Sequence, residues 1–306
     1  MNIEKSTGPR LLPDDYSLDR LDSHSFMGKL FSRASEYLED NEALKTFYWT
    51  IRLMLASRPI VRFVRPVIGF RFLGFGFLDP ELEEDNFGVI VFATNPNYGK
   101  PFFLEPIELE EKSFPVVVRP FIEIPHWPSI HLSLGRCGCW AETRMSSNSV
   151  GPGGLTAKHC VSGLTMGSKV PLTDGTWGTL LDIAPEGIDA AIVATGETPG
   201  STILKTEEFV TPYTDVEFEG ASGPVKTKIT AVTDTFGILS SPVLPSRVAL
   251  ARSGAHGDSG AIVKSIPLGR AVGIYMGAYT DTAGRYGGLA QTAHQVALTM
   301  DGRFLQ

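Results

Sequence analysis

Ala255-His256-Gly257-Asp258-Ser259-Gly260-Ala261-Ile262-Val263 is the stretch on which the reading of this chain turns. A serine set between glycines, directly before an apolar β-type run, is a hydroxyl presented on a tight turn. The glycines lack the Cβ atoms that would block a substrate carbonyl. They also let the backbone N–H groups of Gly257 and Ser259 converge where an oxyanion forms. Taken alone, the stretch also fits an ordinary glycine turn before a strand. What decides between the two lies upstream.

Two blocks there complete a pattern. Leu155-Thr-Ala-Lys-His-Cys-Val161 places His159 after a short strand, where a general base would stand. Gly187-Ile-Asp-Ala-Ala-Ile-Val193 places Asp189 immediately before an apolar strand that draws it inward. Thirty residues separate His159 from Asp189 and seventy separate Asp189 from Ser259, ample for three different loops. The chemistry needs all three residue types. A serine hydroxyl is a weak nucleophile at neutral pH, an imidazole can take its proton, and a carboxylate fixes the imidazole tautomer and steadies its cation.

The surroundings of these blocks are rich in β signals. From residue 133 onward, short apolar runs alternate with Gly, Ser, Asn, Asp and Pro. They are Cys137–Glu142, Gly154–Ala157, Ser168–Leu172, Trp177–Ile183, Ala190–Ala194, Val216–Glu219, Val225–Thr233, Arg247–Ala251, Ala261–Val263, Ala271–Met276 and Gly287–Ala290. This spacing predicts an antiparallel barrel or sandwich. Thr292–Met300 reads as one closing helix.

The first 125 residues differ in texture. Residues 1–22 read as a loose leader. Phe26, Leu30, Phe31, Ala34, Tyr37 and Leu38 recur at helical spacing after Ser25, and a second helix is predicted from Asn41 to Ala56. Residues 59–77 are aromatic and glycine-spaced. With Arg52, Arg58, Arg62, Arg65 and Arg71 they read either as strands with outward arginines or as a surface for anionic lipid or an acidic partner. Phe87–Ala93, Pro115–Arg119 and Phe121–Ile124 read as strands, and Glu105–Lys112 as a loop or short helix. Residues 23–125 are thus expected to form a small α/β domain, residues 126–132 a linker, and residues 133–306 the β-rich domain.

The three blocks resemble the signature segments of chymotrypsin/trypsin-like serine proteases, in that family's order. Ala271-Val-Gly-Ile-Tyr-Met-Gly277 is similar to the strand lining the specificity pocket, and residues 219–229 to the hairpin opening the second barrel. The resemblance covers about residues 133–306 and implies a mainly β double barrel preceded here by the α/β extension. It further implies a His159–Asp189–Ser259 triad acting through an acyl-enzyme, with an oxyanion hole at Gly257, Asp258 and Ser259. It sets a primary pocket at Ser253, Tyr275, Met276 and Gly277. Ser253 at its base is neutral, and an unpaired buried cation is costly, so the expected preference is apolar or aromatic rather than Arg or Lys. His256 reads as a surface turn residue or as a group tuning the pocket. The family also joins a cysteine at the place of Cys160 to an upstream one, here Cys137 or Cys139; buried thiols are the alternative. The chain lacks the Ile-Val-Gly-Gly start whose new amino terminus pairs with the aspartate before the serine. An arginine partner for Asp258, or a site formed from the outset, would replace it.

Composition narrows the rest. The chain has 306 residues, 42% hydrophobic and 20% charged, with 32 Gly and 21 Pro. The net charge of −7 argues against nucleic acid as partner. Met1–Asp22 is polar and no run approaches the roughly 18 apolar residues of a span, so a cytoplasmic, soluble setting is expected. Membrane contact through the arginine stretch is the lesser reading. Three cysteines and six histidines offer no ligand set at metal spacing, and no cofactor is implied. The expected partner is a peptide or protein substrate, with a regulatory partner acting through residues 23–125 as prosegment, folding aid or docking module. Against the endopeptidase stand a catalytically silent relative binding peptides in the same cleft and an esterase using the same triad.

Overall fold

The computed structural model describes residues 26–38, 41–57, 69–78, 87–94, 101–110, 112–125, 140–143, 150–172, 175–196, 202–234, 246–280 and 286–306. In chain order its elements are α1 (Phe26–Tyr37), α2 (Asn41–Ala56), β1 (Phe70–Phe77), β2 (Phe87–Ala93), β3 (Phe102–Leu109), β4 (Lys112–Pro120), β5 (Ile122–Pro125), β6 (Trp140–Thr143) and β7 (Val150–Thr156). A short 3-10 turn (Lys158–Val161) follows, then β8 (Lys169–Pro171), β9 (Trp177–Ile183), β10 (Ala191–Ala194), β11 (Ile203–Leu204), β12 (Asp215–Gly220), β13 (Gly223–Asp234) and β14 (Arg247–Leu250). The chain ends with β15 (Ile262–Ser265), β16 (Ala271–Thr280), β17 (Tyr286–Thr292), α3 (Ala293–Thr299) and β18 (Gly302–Leu305). The fold is mainly β, with helices at the N-terminal end.

Among the described residues, two sheets carry the β structure. One has seven strands in the order β11-β18-β6-β7-β10-β9-β8. The other closes on itself: β12, β15, β16, β17, β14 and β13 follow one another, and β12 pairs back to β13 through Asp215↔Lys228 to Gly220↔Gly223. That ring of six is a closed barrel, with no free edge within it.

The N-terminal strands do not make a separate sheet. β13 is twelve residues long; its first half pairs with β12, and its second half pairs with β1, Ala231↔Gly76 to Asp234↔Leu73. From β1 the sheet continues through β2 and β4 to β3. The helices share a core with the same barrel. Phe31 and Phe47 from α1 and α2 pack with Phe209, Val216, Phe218, Val232 and Val248, and Phe47 meets Phe209 edge-on at 5.5 Å. Arg33 pairs with Glu208 at 2.7 Å. The helices and strands expected as a small α/β domain over residues 23–125 are present in the described part of that range, and their sheet and core run on into the second barrel.

Two local expectations also change. Of the stretch expected as a loop or short helix, Glu105–Leu109 belongs to β3 and Lys112 opens β4, with Leu109 opposite Lys112. β3 lies at the end of the sheet, so Glu105 and Glu108 face water. Arg52 ion-pairs with Glu110 at 2.5 Å, while Arg58, Arg62 and Arg65 lie outside the described residues. So do the leader at 1–22, the linker at 126–132, Cys137 and Cys139. Among the described residues, no helix is long and apolar enough to cross a membrane.

Candidate active site

The register of β7 against β10 builds the first half of the site. Ala191 pairs with Thr156, so the end of β7 and the start of β10 lie together. Three residues beyond Thr156 the 3-10 turn carries His159, and two residues before Ala191 stands Asp189. Lys158 ties the two loops, its ammonium donating to the carbonyl of Ala184 at 2.8 Å. Asp189 then takes two hydrogen bonds, one per oxygen. His159 Nδ1 lies 2.7 Å from Oδ2 and the backbone N–H of His159 donates to Oδ1 at 2.9 Å. The pair is mostly buried, the side chains 19% and 13% exposed. Both carboxylate oxygens are thus engaged with His159, and because an ionised carboxylate can only accept, Nδ1 is the nitrogen that carries the proton.

The serine turn packs directly on the histidine turn. Gly260 has φ +96°, and a Cβ there would meet Thr156 Oγ1 at 2.6 Å and the backbone N of Ala157 at 3.2 Å. The thiol of Cys160 lies 3.9 Å from the carbonyl of Ser259. Ser259 itself is 2% exposed. Its Oγ donates to the carbonyl of Met276 at 2.8 Å. The hydroxyl has one proton, so in this rotamer it is held by Met276 and not by His159.

That carbonyl is available because β16 is bulged. β16 pairs Tyr275 with Ala290 and Gly277 with Leu289, leaving Met276 as the extra residue. Such a bulge re-aims one peptide group away from the regular ladder. Here the Met276 carbonyl faces Ser259 instead of β17.

Among the described residues, Asp258 makes no ion pair with an arginine. Oδ1 accepts from the N–H of Ala221 at 2.6 Å and Oδ2 from the N–H of Ala255 at 2.7 Å. Glycines make room: a Cβ on Gly254 would stand 2.4 Å from Oδ2, and one on Gly220 2.9 Å from it. Two backbone amides thus do for this buried carboxylate what an external cation would do. The N–H of Asp258 is committed to Ala255 O at 3.2 Å, so it does not belong to the oxyanion segment. Among the described residues, the N–H groups of Gly257 and Ser259 have no protein acceptor.

The expected pocket residues divide. Ser253 and Gly254 are half-buried and His256 is exposed. Tyr275 is not a pocket wall: its side chain is fully buried, stacked on Phe218 at 4.7 Å, and its Oη accepts from the N–H of Gly254 at 2.7 Å. Burial, with the Asp258 charge behind it, pushes the Tyr275 phenol far above its usual range. Met276 points the other way, into a cluster with Phe72, Phe92, Phe121 and Tyr279 from the N-terminal sheet and barrel. Neither side chain was recognisable as core from the sequence, because a strand with apolar residues on both faces has no polar side to mark which way each points. Lys158, Ala221, Gly220 and Gly254 were also missed as supports, and only the glycines carried a signal.

A separate cavity of about 700 Å³ lies between the end of α1 and the second barrel, lined by Tyr37, Glu207, Phe209 and Arg270 among others. No triad residue borders it. Arg270 lies over the Tyr37 ring at 3.9 Å, and burial pushes the Glu207 carboxyl above its usual range.

No protein-family model and no curated protein matches the sequence. Solved structures do. A Nocardiopsis protease is 21% identical, with 55% of this chain and 90% of that one aligned at a TM-score of 0.38. A glutamic acid specific serine protease is 17% identical over 54% and 90%, TM-score 0.39, and a Cellulomonas bogoriensis chymotrypsin 19% over 55% and 96%, TM-score 0.38. The solved structures this chain resembles are chymotrypsin-like serine proteases.

Proposed function

We propose that the protein is a serine endopeptidase acting through His159, Asp189 and Ser259. The observation that carries the reading is the doubly bonded Asp189–His159 pair, with Nδ1 at 2.7 Å, set against a glycine-flanked serine turn. In the reaction, Ser259 Oγ leaves Met276 O and turns to His159 Nε2. It gives up its proton there as it attacks the peptide carbonyl, and the oxyanion is received by the Gly257 and Ser259 amides. His159 returns the proton to the leaving amine, and water repeats the sequence to release the acid. The rotation forfeits one neutral hydrogen bond, about 1 kcal/mol net, or a several-fold population cost.

Asp258, next to the nucleophile, has both its oxygens occupied by backbone amides. Ser253 offers no charge. The site accordingly favours an apolar or aromatic residue over Arg or Lys. The bond from Ser259 to Met276 is the observation favouring a silent peptide binder. Profiling against a mixed peptide library and a set of simple esters separates the readings. Peptide cutting after apolar residues supports the proposal; ester hydrolysis alone selects the esterase. Cutting after Arg or Lys refutes the pocket assignment.

A further inference from the structure

The edge of β16 beside the nucleophile is occupied, and the occupant is the chain itself. β17 runs along one side of β16, from Gly273↔Thr292 to Thr280↔Tyr286. The other side is shared. β15 lies opposite Ala271–Ile274. Next, Tyr275 donates to Ala261 O and accepts from Gly260 N–H, both at 2.8 Å. Ser259 Oγ then sits on the Met276 carbonyl. Beyond it β5 takes over, pairing antiparallel with Gly277–Thr280.

The direction of β5 matters. Ile122 is opposite Thr280 and Pro125 opposite Gly277, so the strand runs towards Ser259 and delivers its carboxyl-side end there. Pro125 is one β16 residue away from the carbonyl that holds the nucleophile. A peptide to be cut must reach Ser259 from the same direction, because the acyl carbonyl lies at the carboxyl end of the residues that bind ahead of it. Adding such a peptide as an extra strand is a standard way to hold an extended chain. Only one strand fits on that edge. β5 is also anchored from behind: Phe121 donates its N–H to Ala93 O at 2.8 Å and stacks on Tyr279 at 5.9 Å and 28°.

We propose that Ile122–Pro125 is a built-in occupant of the acyl-side substrate position, so that the folded chain blocks its own site until β5 leaves β16. This rests on the endopeptidase reading above. The same event frees the edge and brings a substrate backbone beside Met276, where it competes with Ser259 Oγ for that carbonyl. Departure of β5 opens the edge, and only a substrate backbone then seated beside Met276 draws that carbonyl away from Ser259, which a small phosphorylating reagent cannot do.

The test uses the full chain and its Ile124→Pro variant, in which an edge N–H is lost and the pairing with Ala278 is disrupted. Two rates are compared: cleavage of an extended peptide and labelling of Ser259 by diisopropyl fluorophosphate, which needs no strand position. If the edge is open in a tenth of molecules or fewer, kcat/KM for the peptide rises about tenfold or more in the variant. Labelling should change little. Labelled, folded variant with unchanged kcat/KM overturns the inference and leaves the endopeptidase reading standing. Absence of labelling in both proteins overturns both. If the variant fails to fold, hydrogen exchange on the natural chain decides. A peptidyl boronic acid bound at Ser259 should strip protection from the β5 amides, and unchanged protection there overturns the inference.

Discussion

Replacing Asp258 by Asn tests how the serine turn is held. The carboxylate is 3% exposed and accepts two backbone hydrogen bonds, one on each oxygen, at 2.6 and 2.7 Å. An Asn side chain has a single acceptor. However it is flipped, its amide nitrogen faces the N–H of Ala221 or of Ala255, donor against donor. One charge-assisted bond is lost and one buried N–H is left without an acceptor, a cost of about 2–4 kcal/mol. Glu219→Gln, on the exposed face of neighbouring β12, is the control and should stay within about 0.5 kcal/mol. Urea denaturation followed by tryptophan fluorescence measures both. Because Asp258 lies between Gly257 and Ser259, the Asn variant should also lose at least about tenfold in hydrolysis, as expected when an oxyanion donor shifts. An Asp258→Asn protein as stable as the control would refute the assignment of those two amides as the carboxylate's support.

Gly260→Ala should destabilise by several kcal/mol or prevent folding, since φ is +96° and the new methyl would meet Thr156 Oγ1 at 2.6 Å; its urea midpoint checks this. His294 gives a pH signature. Burial holds its imidazole below the usual value near 6.5, with the Glu208 charge opposing. The unfolded chain therefore binds the proton first as pH falls, so this contribution to stability is present at pH 8 and is lost on acidification through about 6.5. His294→Gln should flatten the stability curve between pH 8 and 5, seen in melting temperatures across that range. A chain beginning at residue 126 should aggregate or bind a hydrophobic dye, because removing α1, α2 and β1 bares Phe209, Phe218 and Val232; a monomeric, cooperatively melting product would contradict the shared core.

Much of the site was legible because its residues stand at strand ends. Asp189 stands directly before an apolar run and His159 just after a short strand, and the Ser259 turn is written in glycine. α2 was legible for the same kind of reason: Leu44, Phe47, Tyr48, Ile51 and Met54 repeat on one helical face. β3 was obscured by Glu105, Pro106 and Glu108, residues that suit an end strand facing water as well as a loop. β18 was too short to announce itself beside α3. The union of β1 with β13 rests on pairing between residues more than 150 apart, which no local pattern encodes. The bulge at Met276 is similarly invisible, since one extra residue in an apolar strand leaves no mark in the sequence. It is this bulge that decides where the hydroxyl rests.

The most direct measurement of the central claim is mass spectrometry after exposure to diisopropyl fluorophosphate. The account predicts a single phosphoryl adduct on Ser259 in the natural protein and its loss in folded His159→Ala. No adduct at Ser259, or one that forms as fast without the imidazole, would contradict it.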